Sequence, residues 1–231
     1  MKIFVISLKK SLKRREEFDI LNKNINYEYF DAIDGERKES KIVNSGSLGY
    51  SNAAIGCAMS HLSLWNKCIE LDEPIIIMED DVIFKDNFIN NFNEVTKILP
   101  EDFDIIYTGV FPFYKEYKNY SGNSNPIVNA KNKVGELYNM TKTVVFTWTG
   151  NNKGTDFYII SREGCIKFIN FIEKIKKDNN KISSPIDHFM GLFFFNNEVV
   201  YWSNEEITLH GSCCQYITDG IFENSMKELR G

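Results

Sequence analysis

Apolar residues fall along the chain in short unbroken runs, set between longer stretches with helical spacing. Ile3–Ser7 is β-rich, and Tyr27–Ala32 is a second candidate strand running into Asp31-Ala-Ile-Asp34-Gly35, where Asp34-Gly35 signals a turn. Ser51 or Asn52 can cap a helix reaching about Leu71, because Ala58, Leu62, Trp65 and Ile69 recur at spacings of four, three and four. Pro74 opens the run Ile75-Ile76-Ile77-Met78, which Glu79-Asp80-Asp81 closes. An apolar run of that length between polar residues suits a strand buried on both faces. From about Asn87 to Leu99, Phe88, Phe92, Val95 and Leu99 share one helical face, and Pro100 ends it.

The second half is less regular. Asp104–Gly109, Asp156–Ile160 and Val199–Trp202 read as strands. Ser161 caps a helix that turns Cys165, Phe168, Ile169 and Ile172 inward, and Asp187–Phe195 reads as helical. Residues 111–153 are rich in Asn, Tyr, Lys and Gly with weak periodicity, predicting loops and a hairpin around Val144–Trp148. The tail from Thr208 has little pattern. Strands alternating with helices predict an α/β fold with a mainly parallel sheet flanked by helices. In such sheets ligands bind beyond the carboxyl ends of the strands. Asp80 and Asp81 follow the most apolar strand of the chain, at such an end.

A length of 231 residues fits one domain, and 43% hydrophobic with 14% aromatic residues is ample for a core. The net charge of −5 argues against nucleic acid as a partner. No run approaches the twenty apolar residues of a membrane span, and the opening MKIFVISLKK lacks a signal-peptide pattern, so a cytoplasmic location is expected. The five cysteines show no C-x-x-C spacing. Cys57, Cys68 and Cys165 read as buried thiols, and Cys213–Cys214 as a reduced pair.

Three adjacent carboxylates at the end of a buried strand repel one another and lose hydration, so a cation should offset them. Mg²⁺ or Mn²⁺ suits carboxylate oxygen and shares its coordination with phosphates, whose departing charge it neutralises. The bland reading is a solvated acidic turn with Asp81 or Asp86 capping a helix. Lys9, Lys10, Lys13, Arg14 and Arg15 follow the first strand; Arg14 or Arg15 is placed to fork onto phosphate or stack on a base. Their alternative is a solvated basic face at a helix start. Of the histidines, His61 reads as a hydrogen-bonded core residue, and His188 as a loop or cap residue. His210 is a candidate to complete a metal's coordination.

Several of these stretches together resemble glycosyltransferase family 25, the bacterial lipopolysaccharide and lipooligosaccharide galactosyltransferases related to collagen galactosyltransferases. The resemblance rests on Ile3-Phe-Val-Ile-Ser-Leu8 with Arg14-Arg15, Phe30-Asp-Ala-Ile-Asp-Gly35, Gly56-Cys-Ala-Met-Ser-His-Leu-Ser-Leu-Trp65 and Ile77-Met-Glu-Asp-Asp-Val82. Weaker matches are Gly154–Gly164 and Pro185-Ile-Asp187. It implies a GT-A-like single domain with a Rossmann-like sheet, a UDP-sugar donor (often UDP-galactose), Mn²⁺, and an acceptor sugar on a surface glycan. Residues 1–109 would form the nucleotide-sugar and metal half, and 110–231 the acceptor half. By the same resemblance Asp81 would bind the metal directly, Asp80 or Glu79 would contact ribose or metal, and Asp31 or Asp34 would bind base or ribose, with Ser7, Leu8, Arg14 and Arg15 on the donor side; His210 stays a metal candidate on its own position.

The bacterial members are taken to invert the anomeric centre, which needs a general base on the acceptor hydroxyl. Asp187 is the first candidate and Asp156 the second. Tyr114, Tyr117, Tyr120 and Trp148 stand where acceptor sugars would stack, though each also reads as packing. A lipid-linked acceptor would bring the protein into peripheral contact with the cytoplasmic face of the inner membrane. The alternatives are another metal-dependent nucleotidyl or phosphoryl transferase, which the absence of G-x-x-x-x-G-K-[ST] disfavours, and a non-catalytic glycan-binding scaffold.

Overall fold

The computed structural model describes residues 1–35, 52–84, 88–97, 99, 101–107, 145–147, 155–177, 185–187, 189–190, 200–203 and 208–210. Along the chain these form β1 (Lys2–Ser7), α1 (Leu12–Leu21), β2 (Glu28–Asp31), α2 (Asn52–Leu71), β3 (Ile75–Glu79) and β4 (Val82–Phe84). There follow α3 (Phe88–Lys97), β5 (Ile105–Tyr107), β6 (Val145–Thr147), β7 (Phe157–Ile160), α4 (Arg162–Lys177), β8 (Val200–Ser203) and β9 (Thr208–His210).

One seven-stranded sheet has the order β2-β1-β3-β7-β5-β8-β6, and β4 pairs with β9 in a separate ribbon. β1, β2, β3, β5 and β8 run one way, which makes the sheet mainly parallel as the sequence predicts. β7 is the exception inside it, antiparallel to both β3 and β5. Its reversal matters for the site, because it puts the start of β7 at the same edge as the end of β3.

Val145–Thr147 pairs antiparallel with β8, and the rest of the hairpin expected around Val144–Trp148 lies outside the described residues. The patternless tail contributes Thr208–His210 as β9, paired with β4. Strands of three residues are too short for alternation to show in sequence.

The core forms because β3 has no polar face. Ile75, Ile76, Ile77 and Met78 are all buried, so both sides of the sheet need cover. Successive residues of β7 show what supplies it. Tyr158 meets His61 and Trp65 of α2, whereas Phe157 packs edge-on against Phe84 and against Phe92 of α3. Trp65 in turn stacks edge-on against Phe168 of α4, centroids 4.3 Å apart. Ser161 caps α4 as expected, its Oγ accepting the Gly164 N–H at 2.9 Å. No helix among the described residues is long and apolar enough to cross a membrane.

Two sequence motifs meet backbone to backbone at the start of α2. A Cβ on Gly56 would lie 2.3 Å from the Ile33 carbonyl oxygen, and one on Gly35 would lie 1.7 Å from that of Asn52. Ser60 Oγ accepts the Ile33 N–H at 2.9 Å one turn further along. The loop leaving β2 is thereby clamped onto α2, and α2 is held beside the carboxyl edge of the sheet.

Candidate functional site

The carboxyl edge is assembled from β1, β2, β3 and the start of β7. Asp80 N–H donates to the Ile6 carbonyl at 3.2 Å, Ala32 N–H to Ser7 O at 2.9 Å, and Glu79 N–H to Asp156 O at 2.9 Å. These three bonds draw Ser7, the acidic turn, the Asp31–Asp34 loop and Asp156 to one rim. The basic segment folds over it. Arg14 Nη2 lies 2.5 Å from Asp80 Oδ1 and 3.9 Å from Asp81 Oδ2. Lys10 Nζ reaches Asp34 at 2.8 Å, and Lys9 Nζ lies 3.6 Å from Asp31.

The two arginines do different jobs. Arg15 is 17% exposed, donates to Ser7 O and Asp31 Oδ1 at 2.7 Å each and to Ser7 Oγ at 3.2 Å, and lies over the Tyr29 ring. It ties β1 to β2, and its guanidinium holds the Asp31 carboxyl below the usual range, helped by the Lys9 charge. Arg14 is 52% exposed and, among the described residues, is held at its tip by carboxylates, so a ligand's phosphate can draw it away at modest cost. In the sequence the pair looks equivalent; burial separates them.

Burial pushes the Asp80 carboxyl up, while the Ser7 hydrogen bond and the Arg14 charge pull it back. A group whose folded pKa is raised adds stability below its unfolded pKa and loses it as pH rises through the folded one. Asp80→Asn is therefore expected to raise the Tm of the ligand-free protein at neutral pH. The gain should vanish below pH of about 4, where Asp80 is protonated anyway. Thermal unfolding of both proteins across that range checks this.

Glu79 faces the opposite way, toward α2. Its Oε1 accepts from Thr155 Oγ1 at 2.5 Å and lies 3.4 Å from His61 Nε2 and 3.9 Å from Cys57 Sγ. Cys57 and His61 are four residues apart on one face of α2. Burial, then the charges of Glu79, Asp187 and Asp81, push the Cys57 thiol well up, so it keeps its proton.

A divalent cation can be tested against two donor sets. Cys57, His61 and Glu79 offer ligand atoms within 4.8 Å of one another. A protonated thiol is a poor ligand for Mn²⁺ or Mg²⁺, which take hard oxygen donors. Asp80 and Asp81 are hard donors, and the Arg14 guanidinium already occupies a cation's position against them. The acidic turn fits the ion.

Of the residues marked out in the sequence, Ser7, Arg14, Arg15, Asp31, Asp34, Asp80, Asp81 and Asp156 lie along this edge, while Glu79 turns toward α2. β9 seats the His210 backbone opposite Val82, next to the acidic turn, and its side chain lies outside the described residues. Leu8 contributes backbone, its carbonyl accepting the Ser11 N–H at the start of α1. Tyr114, Tyr117, Tyr120, Trp148, His188, Cys213 and Cys214 lie outside the described residues. Sequence reasoning misses Thr155 and Cys57 as neighbours of Glu79; the Cys57–His61 spacing is the available signal.

The family model for glycosyltransferase family 25 (LPS biosynthesis protein) matches residues 1–190. The chain belongs to glycosyltransferase family 25. It is 38% identical over 122 residues to a putative glycosyltransferase, R655, of Acanthamoeba polyphaga mimivirus, covering 48% of this chain and 37% of that protein. It is 29% identical over 168 residues to the lipooligosaccharide biosynthesis protein lic2B of Haemophilus influenzae, covering 69% of this chain and 59% of that one. The chain thus spans less than two thirds of the length of these relatives. Among solved structures, mouse xyloside xylosyltransferase 1 aligns at a TM-score of 0.39 and 12% identity, over 85% of this chain and 69% of that one. The family match reaches Asp187 and the acidic turn, and stops short of β8 and β9.

Proposed function

We propose that this chain transfers a sugar, with UDP-galactose the leading donor, to an acceptor sugar of a lipopolysaccharide, lipooligosaccharide or similar surface glycan. The observation that carries the reading is the acidic turn Glu79–Asp81 at the carboxyl edge, capped by Arg14, in a family 25 chain. A bound Mn²⁺ or Mg²⁺ would supply positive charge to the diphosphate as it leaves.

The chain's own residues would then divide the work. Asp81 and Asp80 hold the cation, and Arg14 exchanges its carboxylates for diphosphate oxygens. Ser7 and Leu8, with Asp31 and Asp34, line the nucleoside side, where Arg15 keeps the β1–β2 rim rigid. The reaction is read as inverting, with Asp187 taking the acceptor's proton. Asp187 is preferred to Asp156 because it is half-buried, whereas Asp156 is 6% exposed. A glycolipid acceptor would bring a cytoplasmic enzyme to the inner membrane surface.

The test is turnover of a panel of UDP-, GDP- and CMP-sugars with Mn²⁺ or with EDTA. Metal-dependent release of UDP from one sugar is the expected result. Turnover of none, with none bound, would leave a glycan-binding scaffold as the better reading.

A further inference from the structure

The buried wall behind Glu79 contains a directional hydrogen-bond chain whose proton positions follow by elimination. Trp65 Nε1 has a hydrogen and no lone pair to offer, so it donates to Tyr158 Oη, at 2.9 Å. Tyr158 Oη has one other partner among the described residues, His61 Nδ1 at 2.8 Å. The phenolic hydrogen therefore goes to Nδ1, and burial keeps the phenol from ionising by pushing it well up. With Nδ1 an acceptor, the hydrogen of a neutral imidazole sits on Nε2. Nε2–H points at Glu79 Oε1, 3.4 Å away, which Thr155 also bonds.

We propose that Trp65, Tyr158 and His61 form a relay of positioning residues that fixes the Glu79 carboxylate from behind. The relay explains two features together. Tyr158 and His61 are fully buried polar groups in the middle of an apolar core, which is costly unless each hydrogen has a defined acceptor. Both lie where the reversed strand β7 meets α2, so this antiparallel strand inside the sheet delivers the hydroxyl that sets the imidazole. The same tautomer argues against a cation at Cys57, His61 and Glu79, since both ring nitrogens are already committed.

This rests on the donor site proposed above, through Glu79. Its test has two arms. Nitrogen-15 spectra of histidine-labelled protein read the His61 tautomer directly, the signal being identified by its loss in His61→Gln. An Nε2–H tautomer in the wild type that is disturbed in Tyr158→Phe is expected; an Nδ1–H tautomer in the wild type overturns the relay.

The second arm is a double-mutant cycle on donor turnover. Tyr158→Phe should lower turnover or raise the Mn²⁺ requirement about 10- to 100-fold when Glu79 is present. It should have almost no further effect in a Glu79→Gln background. Equal losses in both backgrounds, or no loss in either, would overturn the relay. Should Glu79→Gln itself keep full activity, the donor-site reading fails, and the spectra still decide the tautomer. They need no variant beyond the assignment, so a poorly folding Tyr158→Phe does not block them.

Discussion

Asp81→Ala is expected to lower metal-dependent sugar transfer by roughly a thousandfold, with the fold intact. The size follows from the charge a divalent ion offsets at a leaving diphosphate, worth several kcal/mol, where each 1.4 kcal/mol or so is tenfold in rate. The fold should survive because Asp81 sits in the turn between β3 and β4, outside the pairing of the seven-stranded sheet. Its removal also takes one of three mutually repelling carboxylates off the edge. Steady-state kinetics at several Mn²⁺ concentrations, with circular dichroism as the folding control, separate the effects. A variant with normal folding and normal turnover would remove Asp81 from the site.

The largest expected loss of stability belongs to Gly56→Val. A Cβ there would stand 2.3 Å from the Ile33 carbonyl and 2.9 Å from the Gly35 nitrogen, both backbone atoms that no rotamer change can move. Inserting carbon into packed interiors costs about 1–3 kcal/mol where side chains can yield, and more where they cannot. The loop carrying Asp31 and Asp34 would have to leave α2, breaking the Ile33–Ser60 bond as it went. We expect Gly56→Val to be insoluble or to melt well below the wild type, by about 10 °C or more. Ser63→Val, on the same helix but half-buried, is the control and should change the Tm far less. Equal melting temperatures for Gly56→Val and wild type would show that the glycine contact is not needed.

Much of this architecture is legible in the amino-acid sequence. The unbroken apolar run Ile75–Met78 announces a strand with two covered faces, and its end announces where carboxylates gather. The spacing from Ala58 to Ile69 places α2 to within a residue. What stays hidden depends on contacts between distant segments. Nothing local marks β7 as reversed, since a buried antiparallel strand carries the same apolar run as a parallel one. That reversal brings Thr155 to Glu79 and Tyr158 to His61, residues 76 and 97 positions apart. The glycines of the second and third motifs are visible in the sequence, but not that they touch. His61 reads as a hydrogen-bonded core residue, which it is, yet its second nitrogen faces the site. The basic segment reads toward phosphate, and the folded chain pairs Arg14, Arg15, Lys9 and Lys10 with carboxylates first. Any phosphate must therefore compete for Arg14.

That competition defines the most direct measurement: calorimetric titration of the protein with UDP, once with Mn²⁺ and once with EDTA. With the ion present, the cation on Asp80 and Asp81 frees Arg14 for the diphosphate, so binding should be tight and should weaken at least about tenfold in EDTA. UDP binding of equal strength in EDTA, or no binding in either condition, would contradict a metal-assisted donor site at the end of β3.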